Sequence, residues 1–355
     1  MSNLKNYDEY IIAPGETIEE LLECNSMTQL DLSDKTGINK KTINEIIKGK
    51  APISTVTALK LEYVFNIPAS FWNNLESNYR VALERKRDLE SIKNDEQYLE
   101  NIPYSEMAKR NWYFIEKTRD PYEKVVNLRK FFSVASLSFN TELKRKMAFR
   151  KSNNEKFSFE SLYCWIRYGV IKSNKNDYSK FDVDNLKEIV NNLRMLTNNT
   201  FLSQINTIEQ LLKNCGVAIV YEPHLPHTYV NGVAYKISSD KAMIMLSDKG
   251  KRDDILWFTF FHEIGHLIKH SKKGIFIDED GIVRNNLEKE ADEFSKNVLI
   301  NKDNYINFLK NGNFTKNKIK TFAKENNITP GILVGRLQKE SLISWNEYND
   351  LIDRI

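Results

Sequence analysis

The 355-residue chain contains no run of eighteen or more apolar residues, the minimum for a helix that crosses a bilayer. Its first ten residues, MSNLKNYDEY, are polar and lack the apolar centre of a signal peptide. A cytoplasmic protein with no membrane partner is therefore expected. Cysteine is scarce: Cys24, Cys164 and Cys215 are far apart and odd in number, which argues against a disulfide framework or a cysteine-based metal site. All three are expected to be buried thiols. A strong charge of either sign is also missing, since the net charge of +4 is too small to announce nucleic-acid binding by itself. What remains is ordinary for a folded globular protein, with 41% hydrophobic and 28% charged residues, so disorder is not the default. The length allows two or three domains.

The charge is unevenly placed. Residues 1–78 hold seven Lys/Arg against eleven Asp/Glu, a net of −4, yet Lys35, Lys40, Lys41, Lys48 and Lys50 fall in one stretch while acids gather between Glu16 and Glu23. A domain with one basic and one acidic face can bind a polyanion despite its overall sign, and a solvated lysine face is the plainer alternative. Local signals sharpen this. Thr28 is a good N-cap with Asp31 at the third helical position, and Thr36-Gly37 ends that helix because glycine enters the left-handed conformation at little cost. Asn39 caps a second helix, from about Lys40 to Lys48, with Ile43, Ile46 and Ile47 at helical spacing and Gly49 as its stop. A further helix over Thr55–Phe65 ends before Asn66-Ile67-Pro68, and Phe71-Trp72 opens the next. The Thr28–Gly49 unit has the spacing of a DNA-binding helix-turn-helix, whose second helix lies in the major groove of duplex DNA. Asn39, Lys40, Lys41, Thr42 and Asn44 would then reach bases, and Gln29 and Lys48 or Lys50 would meet phosphates. An ordinary helical pair with a polar outer face competes with this reading.

Residues 80–200 carry charged, aromatic and long aliphatic residues at helical spacing. They read as an all-helical segment with breaks at Asp120-Pro121, in 151–156 and in 173–180. From Cys215 the pattern changes to short β-branched runs, 216–221, 229–237 and 242–247, separated by Pro, Gly and Asp. A long apolar helix over about 254–270 follows, then a second over about 287–299 and a helical tail. Within that tail, 319–325 and 331–339 flank Thr329-Pro330, a cap with proline at the first helical position. The second of these helices is mostly apolar, so packing is expected of it.

His262-Glu263-Ile264-Gly265-His266 lies inside the apolar helix. Histidines four apart project from one face and can chelate one ion through neutral imidazoles, while the intervening glutamate is placed to act as general base on a zinc-bound water. Downstream, Leu287-Glu288-Lys289-Glu290-Ala291-Asp292 resembles the gluzincin arrangement, in which a glutamate on a following helix is the third ligand and an acid one turn later bonds a ligating imidazole. Glu288 with Asp292 meets both needs, and Glu290 is the rival ligand. All five histidines lie between His224 and His270. His270 is expected to cap or pack at the helix end. His224, His227 and Tyr229 are candidates for stabilising the oxyanion of a tetrahedral intermediate.

Two family resemblances follow from these residues. Ala13-Pro14-Gly15-Glu16, the Thr28–Gly49 unit, Lys50-Ala51-Pro52-Ile53-Ser54 and Phe71-Trp72-Asn73-Asn74-Leu75 resemble the HigA-type, Xre/Cro-like antitoxin and repressor domain over most of residues 11–80. Phe258-Thr259-Phe260-Phe261-His262-Glu263-Ile264-Gly265-His266, with Glu288-Lys289-Glu290-Ala291-Asp292-Glu293-Phe294, resembles the ImmA/IrrE family of metallopeptidases over about residues 205–345. That family commonly has Ala where this chain has Ser295. The resemblance implies one Zn2+ per chain held by His262, His266 and Glu288, with Glu263 as base and Asp292 behind the site. It also implies proteolysis of a repressor or antitoxin-type regulatory protein, typically one bound to DNA, in mobile-element or stress-response control. The implied fold is mainly α, with a small α+β, zincin-like C-terminal domain and an N-terminal all-α helix-turn-helix domain. The expected layout is a DNA-binding domain over 1–78, a helical middle segment over 79–200 and a peptidase domain over 201–355. The expected partners are a double-stranded DNA operator, a protein substrate and a second copy of the chain, paired through the DNA-binding domain. The opposing reading is a DNA-binding antitoxin or repressor whose metal site is structural or sensory and cleaves nothing.

Overall fold

A computed structural model of the chain describes residues 12–139, 157–174, 177–270, 281–310 and 312–355. The opening stretch MSNLKNYDEY and the break expected at 151–156 lie outside them. The chain divides into two compact units, one up to Asp95 and one from Glu96 on.

Among the described residues the first unit has five helices: α1 (Pro14–Cys24), α2 (Gln29–Thr36), α3 (Lys40–Ile47), α4 (Thr55–Phe65) and α5 (Ala69–Asp95). Local caps mark the helix boundaries. Thr28 Oγ1 accepts from Asp31 N at 3.2 Å while Asp31 Oδ2 accepts from Thr28 N at 2.8 Å, a reciprocal box that satisfies two orphan donors. Gly37 closes α2 at φ 63°, Asn39 Oδ1 accepts from Lys41 N at 2.8 Å, and Ser54 Oγ accepts from Thr57 N at 3.1 Å. Ile18, Leu22, Leu32, Ile43, Ile46, Leu61 and Trp72 form one buried core. Helix α1 lies directly on α3, because a Cβ on Gly15 would stand 2.2 Å from the Ile47 carbonyl oxygen. Cys24 corrects an expectation: it is exposed, whereas Cys164 and Cys215 are buried. As the last residue of α1 it falls on the side away from Ile18 and Leu22. Residue 78 lies inside α5.

The second unit begins with α6 (Tyr104–Lys109), α7 (Pro121–Phe132), α8 (Phe159–Ser173), α9 (Val183–Met195) and α10 (Ile205–Lys213). Strands β1 (Val217–Tyr221), β2 (Gly232–Ser238) and β3 (Lys241–Leu246) follow, and then α11 (Asp253–Lys269), α12 (Gly281–Leu299), α13 (Lys302–Lys310), α14 (Lys316–Glu325) and α15 (Pro330–Lys339). The sheet order is β1-β3-β2. β3 pairs in parallel with β1, Ala242 opposite Val217, and antiparallel with β2, Met245 opposite Val233. β3 is covered on both faces, which is why it reads as a continuous apolar run and not as an alternation. Ala242, Ile244 and Leu246 join the core that contains Trp257, Phe260, Phe261 and Ile264 of α11. On the opposite face, a Cβ on Gly169 of α8 would stand 2.3 Å from Met245 Sδ.

The fold class is as expected: mainly α, with a small α+β C-terminal part and an all-α helix-turn-helix part. The strand expected over 229–237 starts three residues later. The carbonyls of Tyr229, Val230 and Asn231 are taken by Lys249 Nζ at 2.7 Å, Ser247 Oγ at 2.6 Å and Ser247 N at 2.7 Å, and Tyr229 has φ 48°, which a strand cannot accommodate. In the tail, Ile332, Leu333, Val334 and Leu337 of α15 are buried in the main core, the packing role expected. Among the described residues no helix is long and apolar enough to cross a membrane.

Candidate metal centre and helix-turn-helix face

Helix α11 presents His262 and His266 on one face because four residues advance it by little more than one turn. Helix α12 supplies the other half, and a small-residue contact sets the distance between them. A Cβ on Gly265 would stand 3.3 Å from Ala291 Cα and 3.1 Å from Phe294 Cδ1, and Ala291 is fully buried. The far end of α12 is held by two arginines. Arg194 Nε donates to the carbonyls of Val298 and Leu299 at 3.0 and 2.8 Å, which the helix end leaves open, and Arg336 Nη1 donates to that of Lys296 at 3.2 Å.

The resulting cluster is tight. His262 Nε2 is 3.0 Å from His266 Nε2, and Glu288 Oε2 is 3.2 Å from the first and 3.6 Å from the second. Behind it, His262 Nδ1 donates to Asp292 Oδ1 at 2.8 Å. A carboxylate only accepts, so a proton sits on Nδ1, which leaves Nε2 as the nitrogen that can face a cation once it gives up its own proton. Burial opposes charge on His262, but the bonds to Asp292 and Glu288 and the charge of Glu263 overcome it and raise its pKa to about 10. Bonds from His262 and His266 hold Glu288 well below the usual carboxylate range. So negative a pocket favours a cation between the two imidazoles. The donor separations fit a metal: ligand bonds of about 2.0–2.1 Å in a tetrahedron place donors about 3.3 Å apart, and the three measured separations bracket that value. Two imidazoles with one glutamate are a donor set that catalytic zinc sites use. Glu290 is elsewhere, 3.7 Å from His270 Nε2. His270 is the buried C-cap residue of α11.

Glu263 is 6% exposed, and with His262, His266, Glu288 and Asp292 it lines a cavity of about 730 Å³. Other walls come from Val230–Ala234 on the edge strand and its approach, from Arg252 and Asp254 at the start of α11, and from Arg336, Lys339 and Trp345. Tyr229 reaches this lining. His227 is not among the lining residues; its carbonyl accepts from Ser158 N at 2.9 Å, and its φ of 66° bends the loop. His224 is engaged with Asp248, Nδ1 to Oδ1 at 2.7 Å. Sequence reading missed Arg252, Arg336 and Trp345, which carry no motif and reach the cavity only through tertiary packing. It also missed Phe157 and Leu162, which line the same cavity.

In the first unit, α2 and α3 with the turn at Gly37 form the helix-turn-helix. Lys40, Lys41 and Lys48 are placed on α3 and its C-terminal flank, all three exposed. Thr42, Asn44 and Gln29 are half-buried, and Asn39 has its Oδ1 engaged in the cap. The structure thus brings the candidate DNA-contacting residues onto α3 and its flanks, with Gln29 at the start of α2.

Comparison with known proteins agrees with this division. Residues 213–338 match the Peptidase_M78 family, described as an IrrE N-terminal-like domain, and residues 18–72 match the helix-turn-helix family. Among solved structures, the chain is similar to an addiction module antidote protein of a HigA family from Coxiella burnetii. The two are 29% identical over 24% of this chain and 92% of that one, with a TM-score of 0.22. No curated protein matches the chain. The chain therefore couples a helix-turn-helix domain of the DNA-binding kind to a peptidase-family domain.

Proposed function

We propose that this chain is a DNA-binding transcriptional regulator whose second unit is a zinc-dependent peptidase, acting on a repressor or antitoxin-type regulatory protein. The observation that carries the reading is the convergence of His262, His266 and Glu288 beside Glu263 in an open cavity. His262, His266 and Glu288 would hold the ion, which when bound supplies Lewis acidity and acidifies water. Asp292 fixes the His262 tautomer and ring orientation. Glu263 takes the proton of the attacking water and passes it to the leaving amine, as general base and then general acid. Tyr229 is the candidate donor to the developing oxyanion. A structural zinc site has no need of a base beside its ligands or of a cavity above them, and this favours an enzyme over a structural or sensory site. The Lys40–Lys48 face would bind duplex DNA, its lysines on phosphates and Thr42 and Asn44 on base edges.

The test is expression of wild type and Glu263→Ala beside the neighbouring genes, followed by quantitation of every protein present. A regulatory protein lost with wild type and retained with Glu263→Ala is the expected result. Identical protein levels in the two strains would sink the peptidase reading.

A further inference from the structure

Phe157 and Leu162 lie about a hundred residues before the histidines and outside the 213–338 match, yet they share a cavity with His262, Glu263 and Glu288. Their placement is built in. Ser158 caps α8, its Oγ accepting from Ser161 N at 3.1 Å. Phe157 is therefore the residue before the cap and Leu162 the fourth helical residue, the two positions of a hydrophobic staple, which fixes how the chain enters a helix. Ser158 N is bonded to the His227 carbonyl, tying this corner to the loop that carries Tyr229. The other end of that loop is held too: Trp165 Nε1 donates to the Glu222 carbonyl at 3.0 Å and Lys172 Nζ to Glu222 Oε2 at 3.1 Å. Gly169 seats the same helix against Met245. Leu162 is 1% exposed and Phe157 half-buried, and apolar Val230 and Val233 belong to the same lining.

We infer that α8, a helix of the middle segment, is a wall of the substrate cleft, and that Phe157 and Leu162 form a subsite for an apolar side chain of the substrate. The inference rests on the peptidase reading and deepens it. A polar substrate side chain placed against these two residues would lose its water partners without gaining others, whereas each methylene seated in such a pocket is worth about 10- to 200-fold in discrimination. Phe157, only half-buried, sets the depth of the subsite, and Leu162 forms its floor. These are specificity-determining residues and take no part in the chemistry.

The test uses the full chain loaded with zinc and a series of dipeptide hydroxamates that differ in one side chain: Ala, Leu, Phe or Asp. Affinities are read by calorimetry, and zinc uptake is titrated separately for each variant. Wild type is expected to bind the Leu probe at least about tenfold more tightly than the Ala probe, with Asp weakest. Phe157→Ala should move the optimum to the Phe probe, and Phe157→Trp should move it to Ala; Phe157→Leu replaces the first variant if that does not fold. Opposite shifts from one position are beyond the reach of a merely structural role. A wild type that takes up zinc but does not discriminate overturns the inference and leaves the peptidase reading standing, as does an unchanged ranking in both Phe157 variants. A wild type that takes up no zinc overturns both.

Discussion

Glu288 and Glu290 differ by two positions on one helix, and that spacing decides which histidine each one meets. Glu288 lies 3.2 Å from His262 Nε2, while Glu290 lies 3.7 Å from His270 Nε2. Glu288→Ala is predicted to lose most of its zinc affinity and Glu290→Ala to change it little, measured by competition with a chromophoric chelator. Asp292→Asn should fall between them, with a loss of about 10- to 100-fold, the usual cost of removing a carboxylate behind a ligating histidine. A large loss from Glu290→Ala alone would reverse the assignment. Asp253 makes a different prediction. Burial pushes its carboxyl from 3.8 up to about 6, outweighing the bond it accepts from Phe201 N, and Asp353 and Asp254 push the same way. The folded chain therefore holds this proton more tightly than the unfolded chain. The stabilisation is present in full below about pH 4 and is lost as the pH rises through about 6. Asp253→Asn keeps the acceptor for Phe201 and removes the titration. Denaturant melts should show it equal to wild type near about pH 4 and more stable at about pH 7.5, by on the order of 2 kcal/mol. An equal difference at both pH values would rule this origin out.

At the scale of elements, the site depends on how closely α11 approaches α12. Gly265 faces Ala291 with no room for a branched side chain. Gly265→Val is predicted to spread the helices and abolish zinc uptake, although it alters no ligand; full uptake by this variant would show that the approach is not the determinant. The two helices also show what was legible in the sequence. The His262/His266 spacing and the Glu288/Asp292 pair are local patterns, each repeated at one helical turn, so they could be read without a fold. Thr28, Gly37 and Asn39 were legible for the same reason, because a cap is decided within a few residues. The cleft walls were not legible. Phe157, Arg252 and Trp345 come from separate parts of the chain, and only the packing of α8 on the sheet and of α15 on α11 brings them together. The start of β2 was misplaced because Lys249 and Ser247 capture the carbonyls of 229–231 from a distance along the chain.

At the scale of the whole molecule, two units carry two chemistries. If α3 lies in the major groove, Lys40→Ala/Lys41→Ala should weaken binding to duplex DNA and lower the slope of log affinity against log salt by about 2, close to one for each phosphate no longer neutralised. Fluorescence anisotropy across a salt series reads this directly, and an unchanged slope would exclude that face. The same double variant should keep its zinc, since its lysines lie in the first unit and the metal cluster in the second. The proposed function of the second unit rests on its metal centre, and zinc stoichiometry on the purified full chain reads that centre without any other component. One tightly held zinc per chain is predicted in wild type and in Glu263→Ala, and none in His262→Ala or Glu288→Ala. Wild type without zinc after equilibration and dialysis, or His262→Ala with a full equivalent, would contradict it.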